Sequence, residues 1–271
     1  MCFLTSNVFE YYNVFHLFPE GKIPRTGNNR EVYQERTYRN LVKADDLVNF
    51  EVVVKETDLL VRAETDLSVE TRESILKYRQ QIETYISRIP EFERSLVPFK
   101  EDPYAPKIVR EMIETSRFAH VGPMAAVAGA MAEFVLKDLQ PFSKEIIVEN
   151  GGDLFLSVSK ERVIGIYAGD SSLSLKLGIR IGPDETPIGV CTSSGTVGHS
   201  LSFGRADAVC ILSESAALAD AAATSVGNVV KEKKDIESGL ERGREIPGVL
   251  ATLIIVGDKI GVWGKIRLTQ L

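Results

Sequence analysis

Residues 145–165, EIIVENGGDLFLSVSKERVIG, contain three short runs of strand-forming residues separated by turn-forming ones. The glycines at 151 and 152 end the first run, and Ser-Lys-Glu at 159–161 ends the second. Runs rich in β-branched and aromatic residues that are bounded by such signals predict consecutive strands. This stretch therefore predicts a sheet built from strands that follow one another along the chain.

Further strand-like runs lie on both sides of this stretch. Toward the C-terminus they are LKLGIRI, PIGVCTSS and ADAVCILSES, and the last two, VLATLIIVGDK and GVWGKIRL, predict a hairpin around Gly257-Asp258. Toward the N-terminus, NFEVVVKET and DLLVRAET predict a hairpin that turns at Thr57-Asp58. The sheet region is thus interrupted by the segments that carry helical patterns.

Helical periodicity appears in several segments between these strands. Residues 75–89 place isoleucine and tyrosine at three- and four-residue steps, which predicts one apolar stripe on a charged helix that Pro90 ends. A helix is also predicted over 106–117, and another begins at Gly122-Pro123 and continues as MAAVAGAMAEFVLKDL. A small-residue helix at about 216–227 and a charged one within 231–245 follow. This irregular order predicts an α+β fold of layered mixed or antiparallel sheets with packed helices.

Length and composition limit the classes of function. The chain has 271 residues, of which 44% are hydrophobic, enough for one large core or two closely packed lobes. The net charge of -6 disfavours a nucleic-acid partner, because the negatively charged phosphate backbone binds basic surfaces. Cys191 and Cys210 lie in apolar runs without a CxxC neighbour, which favours buried thiols over zinc ligands.

The N-terminal segment has its own composition. Residues 1–32 are aromatic at first and then rich in turn formers, with no basic leader, no cleavage site and no apolar run of the ~20 residues that a membrane span requires. We therefore expect an N-terminal extension or arm at 1–32, a single α+β domain at 33–271, no membrane partner and a cytoplasmic location. The apolar arm is compatible with a homodimer.

The segment ADAAAT at 219–224 is the sharpest chemical signal. Asp220 and Thr224 are four residues apart, so a helix places them on one face, and the alanines between them leave that face uncrowded. A carboxylate and a hydroxyl so placed suit a hard cation such as Mg²⁺ or Ca²⁺. The alternative is structural, with the aspartate completing a helix start and the threonine bonding back to its own helix.

Two loops offer groups for a ligand. The first joins two predicted strands through Gly151, Gly152 and Asp153, where it either lets a ligand approach the backbone or forms a plain hairpin turn. The second, TSSGTVGHS at 192–200, presents backbone N–H groups and hydroxyls that suit a phosphate or nucleotide. His199 is the candidate general acid or base, with a structural role equally open. The cofactor-binding candidates of the second loop are Thr192, Ser193, Ser194, Gly195 and Ser200.

Together these segments resemble the ApbE-like superfamily, whose best-known members are flavin transferases. ADAAAT at 219–224 resembles that family's A-D-A-x-x-T motif, which implies Asp220 and Thr224 as ligands of Mg²⁺ or Ca²⁺. The helix at 124–133 resembles the segment that supplies a backbone carbonyl to the metal, near Ala125. NGGD at 150–153 and TSSG at 192–195 resemble turns that line the nucleotide cleft. The resemblance implies FAD or a related nucleotide as the ligand.

From about Tyr33 onward, the chain is similar to an uncharacterised cytoplasmic branch of this superfamily, found in archaea and anaerobic bacteria and linked to sulfur assimilation towards homocysteine. VGPMAAVAGAMAE, ENGGD, TSSGTVGHSLSFG and LADAAATSVGN carry this resemblance. Flavin transferases have an H-x-x-D-P-x-T-G loop, whereas residues 199–204 read HSLSFG. Binding of a nucleotide or phosphorylated ligand with a metal is therefore expected more firmly than flavin transfer to protein.

Three hypotheses of function follow from these observations. The first is a metal-dependent transferase or other enzyme acting on a flavin, nucleotide or small phosphorylated ligand. The second is a non-enzymatic accessory protein with protein partners in sulfur metabolism, which the shortened loop at 199–204 favours. The third is a structural oligomer with a vestigial site.

Overall fold

The computed structural model describes residue 42, residues 44–195 and residues 204–271. Within these ranges the chain forms eleven strands and six α-helices. The strands are β1 Val48–Val54, β2 Thr57–Ala63, β3 Ile146–Asn150, β4 Asp153–Ser157, β5 Arg162–Gly165, β6 Leu177–Ile181, β7 Ile188–Ser193, β8 Ala208–Ser213, β9 Val249–Val256, β10 Lys259–Gly264 and β11 Arg267–Gln270. The helices are α1 Ser68–Arg88, α2 Glu91–Arg94, α3 Lys107–Phe118, α4 Val127–Leu139, α5 Ala216–Val229 and α6 Ile236–Glu245.

The strands form one large and one small sheet. The large sheet has eight strands in the order β1-β2-β3-β4-β7-β8-β9-β10, and the small one has three in the order β11-β6-β5. Every pairing in both sheets is antiparallel. The predicted α+β fold of layered sheets with packed helices is confirmed.

Alternation along the central strands creates a core on each face of the large sheet. On β3, Ile146 and Val148 belong to the core shared with the helices, whereas Ile147 belongs to the core shared with the small sheet. Successive side chains of a strand point to opposite faces, so strands buried on both sides carry unbroken apolar runs. The molecule is therefore layered as helices, large sheet and small sheet.

The helical layer follows the predicted apolar stripes. On α1, Ile75, Tyr78, Ile82 and Tyr85 are buried, and the helix ends at Arg88, just before Pro90. α4 is preceded by a single 3₁₀ turn at Pro123–Ala126, and every residue of α4 up to Leu136 is buried. The lack of side-chain bulk along this segment lets it lie in the middle of the helical layer.

The two predicted hairpins differ in how far the structure follows the prediction. The first hairpin turns at Lys55 and Glu56, because Val54 pairs with Thr57, so the predicted Thr57-Asp58 turn was wrong by two residues. Lys55 adopts the positive φ of 52° that the turn requires. The C-terminal hairpin at Gly257-Asp258 is confirmed, but residues 267–270 leave it and pair with β6 in the small sheet.

Two further predictions concern the domain boundary and membrane spans. The predicted division between an arm at 1–32 and a domain beginning at 33 lies outside the described residues. Within the described ranges, no single helix is long and apolar enough to cross a membrane. The bent pair Lys107–Phe118 and Pro123–Leu139 meets the length and composition criteria together, with a 105° angle between its halves.

Candidate functional site

The two small-residue helices, α4 and α5, cross at backbone distance. A Cβ atom added to Gly129 on α4 would lie 2.1 Å from the carbonyl oxygen of Ala216 and 2.9 Å from the Cβ of Asp220, both on α5. No side chain larger than hydrogen fits at such a contact. The small residues of α4 therefore allow a close backbone approach, and its partner is the helix that carries Asp220.

Asp220 lies at this crossing and binds the start of α4. Its Oδ2 accepts a hydrogen bond from the N–H of Gly129 at 2.9 Å. Gly129 is in the first turn of α4, where the N–H groups have no partner within the helix. Asp220 therefore caps a neighbouring helix, while the cap of its own helix is Ser215, whose side chain accepts from the N–H of Leu218.

The accessible side of α5 is a line of three polar residues. Asp220, Thr224 and Asn228 are partly exposed, whereas the other residues from 216 to 227 are buried. Residues four apart lie above one another on a helix, so these three share one face. The predicted placement of Asp220 and Thr224 on one helical face is confirmed, and Asn228 extends that face by one turn.

The turn between β3 and β4 packs against the start of α4. Gly151 and Gly152 have φ values of 66° and 104°, and Asn150 pairs with Asp153 across them, as in a two-residue hairpin. The buried amide of Asn150 donates to the carbonyl of Ala128 at 3.1 Å. The plain hairpin turn is therefore present, and it also ties the sheet to the crossing of the two helices.

Asp153, the last residue of this turn, is a second carboxylate at the site, and it is buried. Its Oδ1 accepts from the backbone N–H of Thr192 at 3.2 Å, while the neighbouring thiol of Cys191 donates to the carbonyl of Ala216 at 3.4 Å. Burial raises the pKa of Asp153. Burial, and next the charge of Asp153, hold the pKa of Asp220 well above its usual range, although the N–H groups of Gly129 and Ala128 oppose this. The two carboxyl groups, which come from different elements, thus interact electrostatically.

Cys191 lies within the electrostatic reach of both carboxylates. Burial, and then the charges of Asp153 and Asp220, raise its pKa well above the usual thiol range. A reactive cysteine needs access and a lowered pKa, since the thiolate is the nucleophile. Cys191 is therefore a buried, protonated thiol, as its apolar sequence context predicted.

The residues after β7 contribute backbone to this region. By strand alternation Thr192 follows Val190 onto the small-sheet side, where its hydroxyl hydrogen-bonds with Cys210, so only its main chain faces Asp153. Gly195 donates from its N–H to the carbonyl of Ala206 at 2.9 Å, and a Cβ there would lie 2.3 Å from the carbonyl oxygen of Gly204. These contacts bring Gly195 close to Gly204 and Ala206. His199 and Ser200 lie outside the described residues.

Ala125 lies in the 3₁₀ turn before α4, and its own N–H donates to the carbonyl of Gly122 at 3.1 Å. In a continuous α-helix the N–H of Gly129 would donate to the carbonyl of Ala125. Here that N–H is directed at Asp220. Among the described residues, no group of three or more His, Cys, Asp or Glu side chains could hold a metal ion. A cation here would need hydroxyl, backbone or ligand oxygens in addition to the carboxylates.

Glu133 is the residue of this region that the sequence analysis missed. It is buried on α4, and its Oε2 accepts from Ser215 Oγ at 2.9 Å and from the N–H groups of Ala216 and Ala217 at 2.8 and 3.4 Å. Its Oε1 accepts from Lys137 at 2.5 Å. The only sequence signal is one acidic residue within the small and apolar run at 124–136.

Comparisons with known proteins agree on the family and the fold. The model of the family described as "AbpE bacteria" matches residues 39–260. The UPF0280 protein of Methanocaldococcus jannaschii is 42% identical over 221 residues, which cover 79% of this chain and 90% of that protein. The UPF0280 protein of Methanosarcina barkeri is 39% identical over 221 residues, covering 80% and 87%.

Solved structures of similar fold include two flavin transferases. The apo form of the flavinyl transferase ApbE of Pseudomonas stutzeri has a TM-score of 0.54 at 15% identity and covers 80% of this chain and 93% of its own. The flavin transferase ApbE from Vibrio cholerae has a TM-score of 0.54 at 13% identity, with 80% and 96% covered. At these identities the likeness is one of fold.

Proposed function

Because the chain belongs to the family described as "AbpE bacteria", we propose that it binds a flavin nucleotide or another phosphorylated ligand together with a divalent cation. The observation that carries the proposal is the electrostatic interaction of two carboxylates from different elements, the buried Asp153 and the partly exposed Asp220, beside two helix N-termini. Two carboxylates repel each other at short range, and a cation bound by both offsets that repulsion.

The hydrogen bonds at both helix starts support a cation as the link to phosphate. A helix N-terminus ordinarily binds an anion through its free N–H groups. In α4 the N–H of Gly129 is taken by Asp220, and in α5 those of Ala216 and Leu218 are taken by Glu133 and Ser215. A phosphate would therefore meet carboxylates at these positions and would require a bridging cation.

The donor atoms fit a hard cation. Asp220 offers a carboxylate that keeps further acceptor sites after binding Gly129, and Thr224 offers a hydroxyl one turn along the same accessible face. Ala125 would supply its carbonyl, from which the N–H of Gly129 is directed away. These are oxygen donors, which Mg²⁺ and Ca²⁺ prefer. Bound there, Mg²⁺ or Ca²⁺ would neutralise phosphate charge.

The ligand itself would lie along the adjoining loops. Gly151 and Gly152 present a turn without side chains beside Asp153, and residues 192–195 present backbone on the neighbouring strand. Ser193, Ser194, Gly195 and Ser200 remain the predicted phosphate or nucleotide contacts, and His199 remains the predicted general acid or base. A transferase reaction would require that histidine to reach the bound ligand.

Calorimetry tests the proposal directly. FAD, FMN and ADP are titrated with and without Mg²⁺ into wild type, Asp220→Asn, Thr224→Val and the control Asp138→Asn, whose aspartate binds Ser74 and Tyr78 on α1. We expect Mg²⁺-dependent binding that Asp220→Asn abolishes, that Thr224→Val weakens about tenfold because only a neutral donor is lost, and that the control retains.

Other outcomes would redirect the assignment. Binding that survives Asp220→Asn unchanged would mean that the cation site is wrong. No binding of any of these ligands by wild type would favour the accessory protein of sulfur metabolism or the oligomer with a vestigial site. Turnover that is lost in His199→Ala while binding persists would support an enzyme over a binding protein.

A further inference from the structure

The crossing of α4 and α5 has an internal symmetry of contacts. On α4, Gly129 donates its N–H to Asp220, and four residues later Glu133 accepts the N–H of Ala216. On α5, Ala216 donates its N–H to Glu133, and four residues later Asp220 accepts the N–H of Gly129. Each helix thus supplies one donor at its start and one carboxylate a turn further on, and each carboxylate caps the other helix.

These reciprocal contacts fix how far each helix can slide along the other. The backbone approach at Gly129 and Ala216 leaves no gap that a shift could fill, since a Cβ at Gly129 would already overlap Ala216. The carboxylates on either side of this point hold the helices from both directions. If one cap is removed, α5 is held only by the other, and the position of Asp220 relative to the first turn of α4 becomes less defined.

We infer that Glu133 is a positioning residue for the candidate cation site, which it serves by fixing the start of α5 and thereby the place of Asp220. Its carboxylate is buried and touches Ser215, Ala216, Ala217 and Lys137, so it acts through α5 and not on a ligand. Groups that orient metal ligands from behind commonly change metal affinity as strongly as some of the ligands themselves.

Glu133→Gln and Glu133→Asp test this role from two sides. Glutamine keeps the reach and one oxygen acceptor but loses the charge, while aspartate keeps the charge on a side chain one carbon shorter. The matched control is Glu145→Gln, since Glu145 is another buried glutamate that accepts a backbone N–H, that of Ser159 at 2.8 Å, and binds Arg162. All three variants change a buried glutamate that accepts backbone hydrogen bonds, but only the two Glu133 variants act at the helix crossing.

The first readout needs no ligand. Exchange of the Gly129 amide, followed by NMR, reports the hydrogen bond to Asp220 itself. We expect this exchange to be about tenfold faster in both Glu133 variants than in wild type, and unchanged in Glu145→Gln at equal global stability. Unchanged protection of Gly129 in both Glu133 variants would overturn the inference.

The second readout rests on the proposed function. Calorimetric titration with Mg²⁺ should give about tenfold weaker binding in the Glu133 variants and wild-type binding in Glu145→Gln. Wild-type affinity in both Glu133 variants would overturn the inference, as would an equal loss in the control. If wild type itself binds no Mg²⁺, the proposed function fails, while the exchange of the Gly129 amide still decides the role of Glu133.

Discussion

Glu133, which is buried, and Asp220, which is partly exposed, are acidic residues whose hydrogen-bond partners are mostly backbone groups. Asp220 binds the N–H of Gly129, and Glu133 binds those of Ala216 and Ala217. Hydrogen bonds from backbone N–H groups to a carboxylate are charge-assisted and stronger than those between neutral groups. The cost of burying each acid is therefore offset where a helix start would otherwise leave N–H groups unsatisfied.

Gly129 gives a prediction at this scale in which two effects oppose each other. In an exposed helix, Gly→Ala would stabilise the fold by about 1 kcal/mol through helix propensity. At Gly129 the new methyl group would meet the carbonyl of Ala216, and overpacking of this kind destabilises by about 1–3 kcal/mol. We expect Gly129→Ala to lower the free energy of unfolding in urea titrations. Increased stability would show that the helices separate easily.

At the scale of elements, the turn between β3 and β4 is defined by two glycines that are not equivalent. Gly151 has a φ of 66°, in the left-handed region that asparagine also tolerates, whereas Gly152 has a φ of 104°. The N–H of Gly152 also donates to Oε1 of Glu149 at 2.8 Å. The turn thus depends on glycine at its second position more than at its first.

The two positions allow a matched comparison. Gly152→Ala should destabilise the protein by about 1–2 kcal/mol, because an L-residue is strained at that φ. Gly151→Asn should change stability by less than about 0.5 kcal/mol, since Asn-Gly is a favoured two-residue hairpin turn. Thermal and urea unfolding of both variants measures the difference. Equal losses at the two positions would contradict this account of the turn.

The sequence predicted elements better than the contacts between them. The stripe of α1 and the paired glycines of the β3–β4 turn are local patterns, and the structure contains both. β11 was assigned to the C-terminal hairpin because its pairing with β6 joins residues that are distant in sequence. Local composition does not indicate which distant strand a segment pairs with.

The same limit applies to the candidate site. The shared face of Asp220 and Thr224 follows from helical spacing alone. The meeting of Asp220 with Asp153, and the cap that Glu133 forms on α5, depend on how α4, α5 and the large sheet pack together. A lone acidic residue in a small-residue helix indicates a buried partner, but it does not identify that partner.

At the scale of the whole molecule, Arg162 joins three distant segments of the chain. Its guanidinium donates to Asp46 before β1 at 2.5 Å and to Glu145 before β3 at 2.9 Å, and Glu145 also accepts from Ser159. Hydrogen bonds from Arg162 and Lys160 hold the pKa of Asp46 below its usual range. Burial opposes the shift at Glu145, but hydrogen bonds from Ser159 and Arg162 still lower its pKa.

These lowered pKa values predict acid sensitivity with a definite sign. In the unfolded chain both carboxyls take up protons near pH 4, whereas in the folded protein they do so only at lower pH. Their contribution to stability is therefore present above about pH 5 and is lost as pH falls. We expect the melting temperature to drop from pH 5 to pH 3, and Asp46→Asn to make that drop shallower. An unchanged slope would exclude Asp46 as a source of the pH dependence.

The distance in sequence between the two helices has a consequence for synthesis on the ribosome. Gly129 and Asp220 are 91 residues apart, so at about 5–20 residues per second Asp220 is made roughly 5–20 s after Gly129. Throughout that interval the nascent α4 carries Glu133 without the helix that it caps. The site is therefore among the later parts of the molecule to assemble. If a ribosome pauses before residue 216, α4 of the nascent chain has no α5 to pack against and is accessible to chaperones.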